Sequence, residues 1–533
     1  MLSFIPTHMG GGALAAFAAT VAPSVNAGEG GLVRFGRVGS DDHVCMASWE
    51  EALVQERIAE YLSRGSPHFG RGVAAKYAFW PQGCTLDQDS AISHFFDNDP
   101  TPGVLLDYEC SAITYDGHNG SDASTRSVAE FEIGMPIFAA ADGVVVDAHD
   151  GEPDVVGPPP PDAYPNYVIL DNGGGRFSFY WHLKQNSVTV AVNDEVRAGQ
   201  QIGLTGSSGG AWNPHLHFGN TDAGQYAAAT DPFAGACGAA DSAWQNQPGL
   251  VLDPFLVDFG IAWEHPDDIA DWPTTFPRTG QIAVSDSGVT FWIIACNLPT
   301  DSTWRVRFVR PNGSVAIDSG DYPWFNEFHY RSYWTLWRYD HADFHTVKGV
   351  WRVLFDINGV TLADAPFTIR NARTSTFNTA PLPIEVAFEP AAPTESDAVF
   401  ARVSTPGGRD DADYDVVRYR YVWTVDEAVV RDVVASGLGD AIAHSLAPAG
   451  STLRCTVTPS DGLLDGPSAF AETIIGGGCT ADLDGNGTVD LSDLGALLAN
   501  YGSSGADCAR GDIDGDGDVD LSDLGTLLAA YGT

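Results

Sequence analysis

Across most of the chain, aromatic and β-branched residues come in strand-length runs cut short by turn residues. This punctuation limits the fold more than any other feature. Gly288-Val-Thr-Phe-Trp-Ile-Ile, Trp304-Arg-Val-Arg-Phe-Val and Gly349-Val-Trp-Arg-Val-Leu-Phe are separated by Pro-Asn-Gly and Ile-Asn-Gly turns. Arg418-Tyr-Arg-Tyr-Val-Trp-Thr-Val and Thr452-Leu-Arg-Cys-Thr-Val continue the pattern. With 59 Gly and 32 Pro, the chain is expected to be mostly β. Its 533 residues leave room for about three or four domains at roughly 150 residues each. Two β-sandwiches of Ig-like type are expected over 275–371 and 384–475, joined by a linker at 372–383.

The chain carries 27 Lys and Arg against 70 Asp and Glu, a formal charge of −43. Such a surplus repels phosphate backbones and anionic lipid headgroups, which argues against nucleic-acid binding. Residues 10–23 are apolar, and Val25-Asn26-Ala27 places small residues where a signal peptidase cuts, so 1–27 is expected to be an export signal. The region before it holds His8 but no Lys or Arg. No later stretch reaches the roughly 20 apolar residues of a transmembrane helix. The expected location is therefore secreted, extracellular or at the cell surface. The eight cysteines form no Cys-x-x-Cys pair. That disfavours a thiolate zinc site, and with export the even count suggests disulfides, with Cys479 and Cys508 as the favoured pair.

The end of the chain is an internal repeat. Asp482-Leu-Asp-Gly-Asn-Gly-Thr-Val-Asp-Leu-Ser-Asp returns as Asp512-Ile-Asp-Gly-Asp-Gly-Asp-Val-Asp-Leu-Ser-Asp, each followed by a helical pattern. Oxygens at positions 1, 3, 5, 9 and 12 with Gly at 6 make a calcium loop of EF-hand type, because calcium takes six to eight oxygens and Gly permits the sharp turn. The expected ligands are Asp482, Asp484, Asn486, Asp490 and Asp493, then Asp512, Asp514, Asp516, Asp520 and Asp523. Thr488 and Asp518 at position 7 contribute backbone carbonyls. Residues 479–533 hold eleven Asp and one Arg, so calcium binding and folding should be coupled. The pair resembles a type I dockerin module, which implies a cohesin-like or cell-surface partner. Both copies read Leu-Ser at positions 10 and 11, where dockerins often carry Ser-Thr.

Three short histidine motifs lie between 118 and 217. His118-Asn-Gly-Ser-Asp122 is flanked by Gly117 and Gly120, which favours a loop or strand edge. Tyr180-Trp-His182-Leu is the second. In Pro214-His215-Leu-His217-Phe, strand alternation points both histidines to one face and Leu216 and Phe218 to the core. Two histidines and a carboxylate with an open position for water are a standard catalytic zinc set.

The surrounding text includes Gly134-Met-Pro-Ile-Phe-Ala-Ala-Ala-Asp-Gly143, Val192-Asn-Asp-Glu-Val-Arg-Ala-Gly and Gly206-Ser-Ser-Gly209. Over roughly 112–222 it resembles the lysostaphin/LytM-type zinc metallopeptidases, in which the same three motifs follow in this order. The resemblance implies an antiparallel β-sheet peptidase domain, taken as 112–260. It implies zinc ligands at His118, Asp122 and His217 and catalytic histidines at His182 and His215. Which of the two accepts a proton and which stabilises the oxyanion stays open. It also implies hydrolysis of peptide bonds in bacterial cell-wall peptidoglycan. The sequence departs from the family at Asn213 and Gly219, and the insertion Gly151–Asn166 is expected to form a groove rim. Residues 28–111 read as a leader packed beside the site. The rival readings are a protease of Gly-rich proteins and a non-catalytic, calcium-dependent surface module that keeps the peptidase fold.

Overall fold

The structure is a computed structural model. It describes residues 20–21, 32–37, 46–65, 74–160, 162–221, 229–249, 251, 253–265, 276–298, 301–323, 333–374, 378–406, 408–476, 481–484, 486, 488–503, 510–513 and 518–532. Strands dominate, as the turn-punctuated sequence requires, and helices are few among the described residues.

The histidine-bearing segment builds a seven-stranded sheet in the order Ile92–His94, Ser121–Ser124, His215–Thr221, Phe177–Trp181, Tyr167–Asp171, Gly143–His149 and Glu195–Val196. The pairings are antiparallel. Pleat alternation divides the strands cleanly. Ala123, Leu216, Phe218, Tyr180 and Val168 enter one core with Tyr77, Trp80 and Trp244. Phe177, Phe179, Trp181, Tyr167 and Ile169 face the other way and meet the helix Ser48–Ser63 through Leu53, Val54, Ile58 and Tyr61. The helix also sends Glu50 into this layer, where its carboxylate accepts from Trp181 Nε1 at 3.2 Å and from the Ala47 N–H at 2.7 Å. Burial pushes the Glu50 carboxyl up to about 7. A disulfide joins Cys110 to Cys237, beside the stacked rings of Tyr108 and Phe233. Cys479 and Cys508 lie outside the described residues.

Two sheet-on-sheet bodies follow. In the first, a five-stranded sheet packs on a six-stranded one across Phe259, Phe291, Trp337, Trp304, Trp351 and Phe355. Its membership crosses the segment limits expected from sequence. The strand Phe255–Ala262 pairs with Val289–Cys296, and Leu32–Arg37 pairs with Tyr333–Tyr339. Both short segments are apolar enough to join a sheet, and nothing local says which one. The second body faces three strands (Glu385–Glu389, Val399–Ser404, Gly439–Ile442) against four (Arg418–Val425, Ala428–Ala435, Thr452–Ser460, Ala469–Ile474) around Trp423, Tyr421 and Val457.

The second sandwich is docked on the peptidase. Phe79, Phe138 and Ala198 pack against Phe400, Ala398 and Ala441 in one buried cluster. Thr85 Oγ1 donates to the Leu438 carbonyl at 2.8 Å, and Asp89 Oδ2 accepts the Leu438 N–H at 2.6 Å. Arg126 bridges Glu130 and Asp410, each at 2.6 Å.

At the end of the chain, the helices Leu491–Asn500 and Leu521–Ala529 start on Asp490 and Asp520, whose side chains cap the N–H groups of Ser492 and Ser522. The repeats pack through Leu497, Leu527, Val489 and Val519. They also exchange backbone bonds, Gly502 N–H to the Val519 carbonyl at 2.7 Å and Gly532 N–H to the Val489 carbonyl at 2.9 Å.

Candidate metal centre and active site

Strand register assembles the site. His217 lies opposite Asp122 on one side and Trp181 on the other, and Asp122 lies opposite His94. Residues opposite each other across an antiparallel ladder share a face, so His94, Asp122 and His217 form one row. His215 is two positions before His217 and therefore on the same face. His182 sits just beyond the strand Phe177–Trp181, where its φ of 63° turns the ring back over the sheet. That left-handed backbone is costly for a side chain bearing a Cβ and persists only where its surroundings hold it. His118 arrives from the loop before Ser121–Ser124, after Gly117 at φ 75°. At Gly120 a Cβ would stand 2.5 Å from His217 Nε2, so the close approach of loop and ring needs glycine.

Three donor atoms converge. His118 Nε2 lies 3.2 Å from Asp122 Oδ2, His217 Nδ1 lies 2.9 Å from Asp122 Oδ1, and the two imidazole nitrogens are 3.3 Å apart. His118 and His217 are 2 % and 0 % exposed, and Asp122 is 4 % exposed. His118 Nδ1 bonds the Phe95 carbonyl at 2.7 Å. A carbonyl only accepts, so Nδ1 carries the proton and the Nε2 lone pair faces the cluster. Two nitrogen lone pairs and a carboxylate turned toward one point suit zinc, which takes nitrogen and carboxylate oxygen in tetrahedral sites. Burial raises the Asp122 carboxyl, but the adjoining imidazoles of His118, His215 and His217 outweigh it, and the net shift is well downward. Burial lowers His217 and lowers His182 strongly. Asp122 is thereby held as a carboxylate, and His217 and His182 as neutral imidazoles, the state a cation needs.

The same logic orients the two other histidines. His182 Nδ1 bonds the Ser208 carbonyl and His215 Nδ1 bonds the Asn213 carbonyl, each at 2.8 Å. Their Nε2 atoms are buried and receive no hydrogen bond from the described residues. The rings stand 4.7 Å apart, and His215 Nε2 is 3.8 Å from Asp122 Oδ1. The five sequence-predicted residues thus lie together on one side of the sheet.

The structure also accounts for the two departures in sequence. Asn213 Nδ2 donates to Ser124 Oγ at 2.8 Å while its carbonyl fixes His215. A Cβ at Gly219 would run into the Phe179 ring, which in turn stacks on His217 at 6.0 Å. The insertion pairs with the loop that leads to His215. Asp154 accepts the Ser207 N–H at 2.7 Å, Val155 N–H reaches the Ser207 carbonyl at 2.9 Å and Gly157 N–H reaches Trp212 at 2.8 Å. Sequence reasoning missed His94 and Tyr115. His94 Nδ1 is 4.0 Å from Asp122 Oδ2, and burial lowers it to about 4. Tyr115 stacks on His118 at 4.2 Å. The alternation Ile92-Ser-His94-Phe was the available signal for the first.

In the terminal repeats, carboxylate oxygens of Asp482, Asp484 and Asp493 lie within 4.8 Å of one another. Asp493 accepts the N–H groups of Leu483 at 2.7 Å, Asp484 at 3.1 Å and Asp490 at 2.8 Å. Asn486 Oδ1 accepts from Thr488 N at 2.9 Å. In the second copy Asp523 accepts from Ile513 and Asp520, Asp518 is exposed, and Asp514 and Asp516 lie outside the described residues.

A buried group of two imidazoles and a carboxylate on an antiparallel sheet, with two more imidazoles beside it, has the make-up of a metallopeptidase centre. Residues 117–229 match the sequence profile of Peptidase family M23. The peptidoglycan DD-endopeptidase ShyA of Vibrio cholerae is 34% identical over 104 residues, 19% of this chain and 19% of the relative. The glycyl-glycine endopeptidase ALE-1 of Staphylococcus capitis is 35% identical over 89 residues, 16% of this chain and 21% of the relative. The chain thus spans about a fifth of the length of these relatives. Among solved structures, the catalytic domain of the antimicrobial peptidase lysostaphin from Staphylococcus simulans aligns at 23% identity and TM-score 0.18, covering 27% of this chain and 90% of that one. No helix among the described residues is long and apolar enough to cross a membrane.

Proposed function

We propose that the chain is an exported zinc endopeptidase of bacterial cell-wall peptidoglycan. The observation that carries the reading is the convergence of His118 Nε2, Asp122 and His217 Nδ1 beside two buried imidazole nitrogens without hydrogen-bond partners. His118, Asp122 and His217 would hold zinc, which when bound supplies a Lewis acid and lowers the pKa of a bound water to about 7. His182 and His215 supply the proton chemistry. The carbonyls of Ser208 and Asn213 lock the Nδ1–H tautomer of each ring, so each Nε2 is an acceptor until it is protonated and a donor afterwards. His215 Nε2 faces Asp122 Oδ1 at 3.8 Å. His182 lies among His215 and His217, where burial and these rings disfavour charge. It suits a proton held briefly and returned to the oxyanion or the leaving amine. The wall made by residues 151–160, 162–166 and 207–212 would orient an extended peptide beside both rings.

The terminal repeats are proposed to bind two calcium ions through the residues named above and to attach the enzyme to a cohesin-like or cell-surface protein. The test of the enzymatic reading is mass spectrometry of peptidoglycan fragments after digestion with and without chelator. Zinc-restored cleavage of a peptide bond is the expected result. Unaltered peptidoglycan in the presence of stoichiometric zinc would reject it.

A further inference from the structure

Outside the peptidase, a second group of ligand-type residues is buried where the three bodies meet. Asp411, Asp413 and Asp415 alternate along the segment that enters the strand Arg418–Val425, and one carboxylate oxygen from each lies within 4.8 Å of the other two. Asp411 and Asp413 are 1 % and 4 % exposed. Asp413 is oriented by Thr379, whose N–H and Oγ1 reach it at 3.1 and 2.8 Å. Asp411 Oδ1 accepts the Asp413 N–H at 2.8 Å, but its Oδ2 is buried and receives no hydrogen bond from the described residues. A buried carboxylate oxygen left without a donor, beside two more carboxylates, is stable only if a proton or a cation sits between them.

Two of the neighbouring arginines are engaged elsewhere, and the third, Arg409, lies 5.7 Å from the Tyr414 ring centroid with a buried Nη1 that makes no hydrogen bond among the described residues. Arg126 holds Glu130 and Asp410, and Arg278 holds Asp258 at 2.5 Å. Among the described residues no ion pair is made to Asp411, Asp413 or Asp415. The donor set is all oxygen, which selects a hard divalent cation. Calcium tolerates irregular coordination and gives up its water shell more readily than magnesium.

We infer that Asp411, Asp413 and Asp415 form a calcium site that fixes the joint between the peptidase and the two sandwiches. The segment touches every partner of that joint. Asp410 takes the Arg126 guanidinium of the peptidase at 2.6 Å. Tyr414, at φ 70°, inserts its ring into the first sandwich core and donates its hydroxyl to the Pro366 carbonyl at 2.9 Å. A cation here would pin the crossing point of the three bodies, and this inference stands whether or not the peptidase reading does.

The experiment counts calcium bound per full-length chain after equilibrium dialysis, with and without excess magnesium. It compares the wild type with D411N/D415N, each also in a background with both terminal loops disabled by D484N/D514N. The expected result is about one calcium fewer with D411N/D415N in both backgrounds, with magnesium unable to replace it. In addition, calcium should slow trypsin cleavage at Arg373 roughly tenfold in the wild type but not in D411N/D415N. Should that variant misfold, D415N alone alters only the half-exposed member of the group and is expected to weaken this calcium at least tenfold. No calcium in the loop-disabled background means a shared proton holds the cluster, and an unchanged count in a folded variant means the calcium is elsewhere. Either result overturns the inference.

Discussion

The sheet site and the terminal loops both gather carboxylates, yet they are organised by opposite means. Asp122 is fixed by strand register and flanked by His217 and by His118, whose other nitrogen is tied to the Phe95 carbonyl. Its orientation is set by a whole sheet before any ligand arrives. Asp493 and Asp523 are instead held by the N–H groups of their own short loops. The core beneath them is a single small cluster of Leu, Ile, Val and Ala side chains. The first site should keep its shape without metal. The second should lose its shape when its cation is withdrawn.

The largest effect is expected at the sheet site itself. H217A or D122A should abolish zinc retention and lower peptidoglycan cleavage by about 10⁴-fold or more, with circular dichroism unchanged. Zinc retained at one per chain in H217A would break the contrast. Next in size, H182A and H215A should keep zinc but lose about 10²–10⁴-fold in kcat. A pH–rate profile separates their roles, since loss of the base removes the acidic limb.

Calcium withdrawal should then distinguish the two regions in a single hydrogen-exchange experiment. Amides in 488–502 and 518–532 are expected to exchange about 10²-fold faster, while those in 215–221 keep their protection. Equal protection in both regions would erase the comparison. The smallest effect concerns the layer that backs the sheet. The Glu50 carboxyl is raised to about 7 in the folded state from an ordinary value of 4.5. The folded state therefore binds the proton more tightly than the unfolded one. The associated stability is full below pH 4.5 and is lost as pH rises through about 7. In thermal melts from pH 4.5 to 8, E50Q should remove roughly 2–3 kcal/mol of that slope.

What was legible in the sequence followed from local periodicity. His215-Leu-His217 and the alternation around it told which side chains share a face, and the order of motifs told what they could join. What stayed hidden depends on register and docking between distant segments. His94 enters the site only because Ile92–His94 pairs with Ser121–Ser124 across a bulge. Leu32–Arg37 joins a sandwich sheet some 300 residues away through backbone bonds that carry no side-chain signature. The Cys110–Cys237 pairing spans 127 residues, whereas spacing could suggest only the nearby Cys479 and Cys508. Asp411, Asp413 and Asp415 show plain alternation, but a row of aspartates on a solvated loop would look the same. Burial is what distinguishes them.

The docked second sandwich has a practical consequence for anyone who would shorten this protein into a portable catalyst. A cut near residue 260 removes the partner of Phe79, Phe138 and Ala198 and leaves the Asp89 carboxylate without the Leu438 N–H. The trimmed fragment would carry a sticky apolar wound, an invitation to self-association in the test tube. A workable miniature would first have to repaint that face with polar side chains, or keep the sandwich as a fitted lid on it.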